Sequence, residues 1–286
     1  MADSEGNGVQ TRRTYHQQLE SIKGDLVKMA AMVTEGIPRA TQVLLDHDLG
    51  GAQAIIDGDD PLDALSLETE EQAYAVFALQ QPMAGDLRGL ITAVRMVSEI
   101  ERSGDLVVNI AKGARRIYGT EYTPRLRGLI SRMGDEAARL YRLAIDAYVD
   151  GDAAMAAALD DLDDRLDDLH QDYIAEIFEA ANDGAFEVQA AVQLALIGRY
   201  YERIGDHAVN IGERVRYMVT GWLPEQTGAA REAVRQARLG DGPASEAAAT
   251  AATPGSGHAS ALDGGPDASA PDDGSDGAAA SEPGSG

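Results

Sequence analysis

Apolar residues recur along most of the chain at intervals of three and four residues, the spacing of one face of an α-helix. Leu19, Ile22, Leu26, Met29 and Val33 form one such stripe. Similar stripes run through residues 87–94 and 140–147, and the alternation of β-branched residues that is typical of strands is scarce. The pattern therefore predicts an all-α protein.

Glycine, proline and asparagine interrupt these stripes and divide them into six predicted helices. The interruptions fall at residues 50–51, 81–82, 119–124, 151, 182–184 and 221–224. We expect helices near residues 14–47, 50–79, 85–118, 124–149, 152–181 and 186–219. Because short loops join long helices, consecutive helices must lie antiparallel, as they do in a bundle.

The third and sixth predicted helices carry nearly the same ten residues. ERSGDLVVNI begins at Glu101, and ERIGDHAVNI begins 101 positions later at Glu202. The match indicates a duplicated unit, so we predict a six-helix antiparallel arrangement of two tandem three-helix bundles. The repeats are assigned to residues 14–120 and 121–222, and residues 1–13 are expected to be a flexible N-terminus.

The composition excludes several classes of protein. The chain of 286 residues has 48 Asp and Glu against 24 Lys and Arg, a net charge of −24, and no cysteine. It therefore has no disulfides, thiolate metal sites or cysteine nucleophile, and its charge disfavours binding to nucleic acid or anionic lipid. Because no apolar run could cross a bilayer and the first twenty residues lack a signal-peptide core, we expect a cytoplasmic protein without a transmembrane segment.

The last part of the chain has a different composition. From residue 241 onward it contains eight acidic residues, no Lys or Arg, and mostly Ala, Gly, Ser and Pro. Such a segment cannot bury enough apolar surface to offset its chain entropy. We therefore predict that residues 223–286 are a linker followed by a disordered acidic tail.

The duplicated decapeptide places like residues on one side of a helix. Glu101, Asp105 and their counterparts Glu202 and Asp206 are spaced by four, which brings each pair within 5–6 Å or so between Cβ atoms. Two carboxylates that close repel each other unless a cation lies between them. The glycine before each Asp costs a helix about 1 kcal/mol, so we expect another group to approach the backbone closely there.

The preceding helix of each repeat carries a second acidic pair. Asp59 and Asp63 are spaced by four in the first repeat, as are Asp163 and Asp167 in the second. If antiparallel packing brings the pairs together, each repeat holds about four carboxylates around one point, which suits one or more hard cations bound by oxygen. Isolated acidic pairs more often form a solvent-exposed face; the duplication in register favours a functional site.

These residues resemble a known family. Glu-Arg-x-Gly-Asp-x-x-x-Asn in two copies, over residues 14–220, is similar to the PhoU family, accessory regulators of phosphate uptake. The resemblance implies six-helix repeats that bind multinuclear metal clusters, with iron or zinc as the metal and magnesium or manganese as alternatives. The implied metal ligands are Asp59, Asp63, Glu101, Asp105, Asp163, Asp167, Glu202 and Asp206. The implied flanking residues are Arg102, Asn109, Arg203 and Asn210.

One residue departs from this pattern. Pro61 falls between Asp59 and Asp63, where a proline either removes a helical hydrogen bond or begins a new helix in its first turn. The first site is therefore expected to be looser than the second.

The resemblance implies a non-enzymatic regulator that restrains phosphate uptake and phosphate-starvation signalling. Its implied partners are the ATPase of the phosphate ABC transporter, of the PstB type, and a PhoR-like sensor histidine kinase. The implied protein is a homodimer that reaches the inner face of the membrane through these partners.

Two alternatives to this function stay open. A ferritin-like di-metal carboxylate oxidase normally uses Glu-x-x-His, and the nearest motif here is Asp167-x-x-His170. The other alternative is a metal-free helical adaptor.

Overall fold

A computed structural model describes residues 3–80 and 82–221, so the predicted linker and tail at 223–286 lie outside the described residues. The described chain forms helices joined by short connections, without β-strands, which confirms the all-α prediction. The helices are α1 (Asp3–Asp46), α2 (Leu49–Ile56), α3 (Asp60–Gln80), α4 (Ala84–Arg116), α5 (Pro124–Asp150), α6 (Ala153–Asn182) and α7 (Val188–Thr220).

The helix predicted at 50–79 is interrupted and forms α2 and α3. The chain turns at Gly58, and α3 restarts where the backbone N–H of Leu62 donates to the carbonyl of Asp59 at 2.9 Å. Pro61 lies in the first turn of α3. Backbone N–H groups in a first turn have no acceptor within the helix, so the absence of an N–H in proline costs no helical hydrogen bond there. The prediction that Pro61 begins a new helix in its first turn is therefore confirmed.

The first helix is longer than the sequence analysis expects. α1 begins at Asp3, so residues 3–13, expected to be a flexible N-terminus, continue the helix. This segment contains no proline, and once a helix has formed, each residue added at its end gains a hydrogen bond without a new nucleation step.

The helices pack as two similar groups, called here the first repeat (α1–α4) and the second repeat (α5–α7). α1, α3 and α4 pack on one another with α2 against α4, and α5, α6 and α7 pack on one another. The repeats meet through α4 against α7 and α1 against α5. All described helices belong to one compact unit.

The central contact between the repeats is antiparallel. Near one end, Arg88 Nε on α4 donates to the carbonyl of Met218 on α7 at 3.2 Å. At the other end, Arg116 Nη1 donates to Gln193 Oε1 at 3.4 Å. The first turn of α4 therefore lies beside the last turn of α7, and the reverse.

A continuous apolar core joins the two repeats. Leu26 and Met29 of the first stripe are fully buried, and so is Tyr201 of α7. The Tyr201 hydroxyl lies 2.8 Å from Thr41 Oγ1 on α1, a buried hydrogen bond between the repeats. Of the helices described, none is both long enough and apolar enough to span a membrane.

Candidate metal sites

The duplicated glycines let one helix approach another. A Cβ added to Gly104 on α4 would overlap the side chain of Leu62 on α3. A Cβ added to Gly205 on α7 would lie 2.8 Å from Leu166 Cδ2 on α6 and would overlap the Asp163 carboxylate. Leu62 and Leu166 are equivalent residues of the two repeats, so the expected close approach to both glycines is confirmed.

The second repeat brings the carboxylates of two helices together, and we call Asp163, Asp167, Glu202 and Asp206 the second acidic site. All four are half-buried between α6 and α7. Burial, followed by the charges of Asp167 and Asp206, raises the pKa of Asp163 to about 7. Asp163 Oδ1 and Glu202 Oε2 are both buried without a hydrogen-bond partner, which leaves two oxygen atoms that a cation could satisfy.

An arginine that the sequence analysis did not single out lies at this site. Arg199 forms an ion pair with Glu202 through Nη1 and Oε1, one helical turn apart on α7. Arg203, which the resemblance placed beside the ligands, is exposed. The spacing of three residues between Arg199 and Glu202 is a sequence signal for this ion pair, but Arg199 lies outside the repeated motif, which contains Arg203 instead.

The four equivalent residues of the first repeat are also close, and we call Asp59, Asp63, Glu101 and Asp105 the first acidic site. Burial and the neighbouring charges of Asp63 and Asp105 raise the pKa of Asp59. Burial and the charge of Asp105 likewise raise the pKa of Glu101, while Arg102 opposes the rise. Asp63 and Asp105 are exposed, so this site is more open than the second, as the interruption near Pro61 predicted.

One residue that was expected to flank the second site has another partner. Asn210 Nδ2 donates to Glu99 Oε2 at 3.1 Å, across the contact between α7 and α4. His207 Nδ1 lies 2.7 Å from the same oxygen. Burial raises the pKa of Glu99, but these two hydrogen bonds lower it by more, so its pKa lies below the usual value. Asn109 is half-buried on α4.

The two acidic sites contain suitable donor atoms for a metal, but these atoms are not arranged in a coordination geometry. Carboxylate oxygens suit hard cations, and the two buried oxygen atoms without partners make the second site the better fit. Among the residues that the structure describes, however, no three candidate ligands are already grouped closely enough to hold an ion. Binding would therefore require rotation of at least one carboxylate.

Comparison with known proteins identifies the family. The PhoU domain model matches residues 26–114 and 130–215, one segment in each repeat. The chain belongs to the PhoU family. It is 38% identical over 216 residues, 75% of this chain and 97% of the relative, to the phosphate-specific transport system accessory protein PhoU homolog 1 of Mycobacterium tuberculosis. Homolog 2 of the same organism is 36% identical over 214 residues, 74% of this chain and all of the relative.

Solved structures of the family share the fold. The crystal structure of PhoU from Pseudomonas aeruginosa superimposes with a TM-score of 0.69 at 27% identity and covers 73% of this chain and 100% of that chain. The phosphate transport system regulatory protein PhoU of Streptococcus pneumoniae gives a TM-score of 0.68 at 24% identity, over 73% of this chain and 98% of that chain. The second likeness supports the fold alone.

Proposed function

We propose that this chain is a non-enzymatic accessory protein that regulates phosphate-specific transport and phosphate-starvation signalling. The observation that carries the proposal is the likeness, over nearly the whole length of the relative, to a protein named as an accessory of phosphate-specific transport. The two acidic sites, built from the residues that match between the repeats, support a binding role instead of a catalytic one.

We further propose that the acidic sites bind metal ions. Asp163, Asp167, Glu202 and Asp206 would hold metal in the second repeat, where the ion would supply positive charge to carboxylates that crowd one another. Asp59, Asp63, Glu101 and Asp105 would do so in the first repeat. Iron or zinc is the proposed metal, with magnesium or manganese as alternatives. Arg199 contributes a positive charge to one oxygen of Glu202 and leaves the other without a partner.

Elemental analysis of protein purified without a metal-binding tag tests the metal proposal. We expect Asp163→Asn combined with Asp206→Asn to lose the metal of the second site. The matched control is Asp168→Asn combined with Asp172→Asn, since both aspartates are exposed on α6 and belong to neither site. A wild-type protein that retains no metal after equilibration with iron, zinc, magnesium or manganese would contradict the proposal.

The proposed partners are the PstB-like ATPase of the phosphate transporter and a PhoR-like sensor histidine kinase, reached in the cytoplasm at the inner face of the membrane. A net charge of −24 favours basic partner surfaces and disfavours nucleic acid. A homodimer is also proposed. A pull-down at low salt should recover the ATPase, and size-exclusion chromatography with light scattering should report the oligomeric state. Failure to recover the ATPase would count against the regulatory function.

Two other functions would give different experimental results. A ferritin-like oxidase would consume oxygen in the presence of iron, although Asp167-x-x-His170 is the nearest motif to the Glu-x-x-His that such enzymes use. A metal-free adaptor would keep its partner affinity when the second acidic site is replaced by amides.

A further inference from the structure

Exposed apolar side chains gather at the turn between the last two helices of each repeat. Tyr74, Leu79, Met83 and Leu87 lie around the turn from α3 to α4, and we call them the first end patch. Phe178, Val188, Val192 and Leu196 lie around the turn from α6 to α7, and we call them the second end patch. Met83 is 78% exposed and Val188 is 77% exposed, so neither side chain contributes to the core.

The helix packing places Phe178 at the level of two valines of the second end patch. The Tyr173 hydroxyl on α6 donates to the carbonyl of Leu194 on α7 at 2.8 Å, which fixes the antiparallel register of these helices. Continuing that register places Phe178 level with residue 189, between Val188 and Val192. These two valines are spaced by four and therefore share one side of α7.

Two positions of the patches are equivalent in the two repeats. Tyr74 and Phe178 are separated by 104 positions, as Asp59 and Asp163 are. Leu87 and Val188 are separated by 101 positions, as the two glutamates of the acidic motifs are. Single exposed apolar residues are ordinary in proteins, but clustered ones mark interaction sites. Leu67, which is 59% exposed, lies in the first half of α3, away from the turn, and belongs to neither patch.

Both patches are bordered by negative charge. Asp86 and Glu187, which are equivalent and exposed, lie at the start of the last helix of each repeat, beside the patch. The sequence contains no Lys or Arg between residues 40 and 87, or between residues 166 and 198. Among the described residues near these ends, Arg88 directly follows Leu87 and donates to the carbonyl of Met218, and Arg125 pairs with Glu176 at 3.3 Å.

We propose that each end patch docks a basic amphipathic helix of a partner protein, with apolar side chains on the patch and Lys or Arg against its acidic border. A second copy of this chain is a poorer occupant, because it would bring the same negative charge to the contact. The antiparallel packing of α4 and α7 sets the patches at opposite ends of this helix pair, about 40–50 Å apart for helices of this length. The chain is thus a bivalent binder that can hold two helices at once.

This inference deepens the regulatory function proposed above, because it identifies where a partner would be held, and it requires no metal. The probe is a fluorescent synthetic 18-residue helix with leucines along one face and lysines on the other. Its control is the same peptide with glutamate in place of lysine. Fluorescence anisotropy with the full chain should show two lysine peptides bound per chain, with affinity falling as salt rises, and no binding of the glutamate peptide.

Variants locate the binding on the surface. We expect Phe178→Ser with Val188→Ser, and separately Tyr74→Ser with Leu79→Ser, to lower the stoichiometry from two peptides to one. The combination should weaken binding about tenfold or more. Leu67→Ser is the matched control and should bind two peptides. Circular dichroism should show wild-type helicity in all of them, because the replaced side chains are exposed.

Three results would overturn the proposal. The first is equal binding of the lysine and glutamate peptides, and the second is an unchanged stoichiometry in the patch variants. The third is that no peptide binds but the patch variants lose self-association, which would make a second copy of the chain the occupant of the patches. ATPase measurements on the same proteins separate this proposal from the regulatory function. If the wild-type chain affects the transporter ATPase but the patches bind no peptide, only the docking proposal is wrong. If the patches bind the peptide but the chain has no effect on the ATPase, the docking proposal stands and the regulatory function is wrong.

Discussion

Replacing Asp163 with asparagine should stabilise the metal-free protein, and by more at pH 8 than at pH 5. In the folded chain the pKa of this carboxyl is about 7 against an ordinary value of 3.8, because it is buried beside Asp167 and Asp206. Below pH 3.8 both states are protonated and the group costs nothing. Between pH 3.8 and about 7 only the unfolded chain ionises, so the stability of the wild-type protein falls as pH rises and then levels off.

The size of the effect follows from the same difference in pKa. Roughly three pH units at about 1.4 kcal/mol each amount to about 4 kcal/mol. Since Asp163 is half-buried, solvent screening reduces the expected stabilisation by Asp163→Asn to about 2 kcal/mol at pH 8 and to less than half of that at pH 5.

Urea unfolding followed by circular dichroism, after treatment with a chelator, measures both values. Asp168→Asn is the matched control, because this aspartate is exposed on the same helix and should change stability by less than about 0.5 kcal/mol. A destabilising effect of Asp163→Asn, or an equal effect at both pH values, would contradict this prediction. Added metal should reverse the order of stability, since the wild-type site would then gain a cation that the asparagine variant binds less tightly.

Three further changes test the packing and the connections around the sites. Gly205→Ala should lower the free energy of unfolding by about 1–2 kcal/mol, because the overlap of the added Cβ with α6 outweighs the gain in helix propensity. Gly128→Ala is the control: nothing lies within 4 Å of its added Cβ, so it should raise the free energy of unfolding by about 0.5–1 kcal/mol. Urea unfolding that shows both variants changing stability in the same direction would contradict this prediction. Glu99→Ala should cost about 2–4 kcal/mol, since it removes the acceptor of the buried His207; calorimetry showing an unchanged Tm would argue against the pairing. Asp152→Ala should cost about 1 kcal/mol in urea unfolding, because the carboxylate accepts hydrogen bonds from two backbone N–H groups at the start of α6. Asp150→Ala, two residues earlier at the end of α5, serves as its control; an equal loss in both variants would contradict the cap.

The helices, the duplication and the acidic motifs can be predicted from the amino-acid sequence alone. Helical spacing, caps and breaks are local, so the ends of α5 and α6 could be placed within a few residues of their positions. The motif that begins at Glu101 and Glu202 required only a comparison of the chain with itself. The close approach at Gly104 and Gly205 was also predictable, because a helical glycine in both copies needs a steric reason.

Which groups meet across long separations in the chain depends on how the helices pack. The burial that raises the pKa of Asp163 comes from the packing of α6 on α7, and the choice of Arg199 over Arg203 as the partner of Glu202 depends on where each guanidinium can reach. Asn210 bonds to Glu99 because α4 and α7 lie antiparallel, a register that joins residues more than a hundred positions apart. Periodicity assigns a residue to a side of its own helix, but the neighbour on that side depends on how all the helices fill the core.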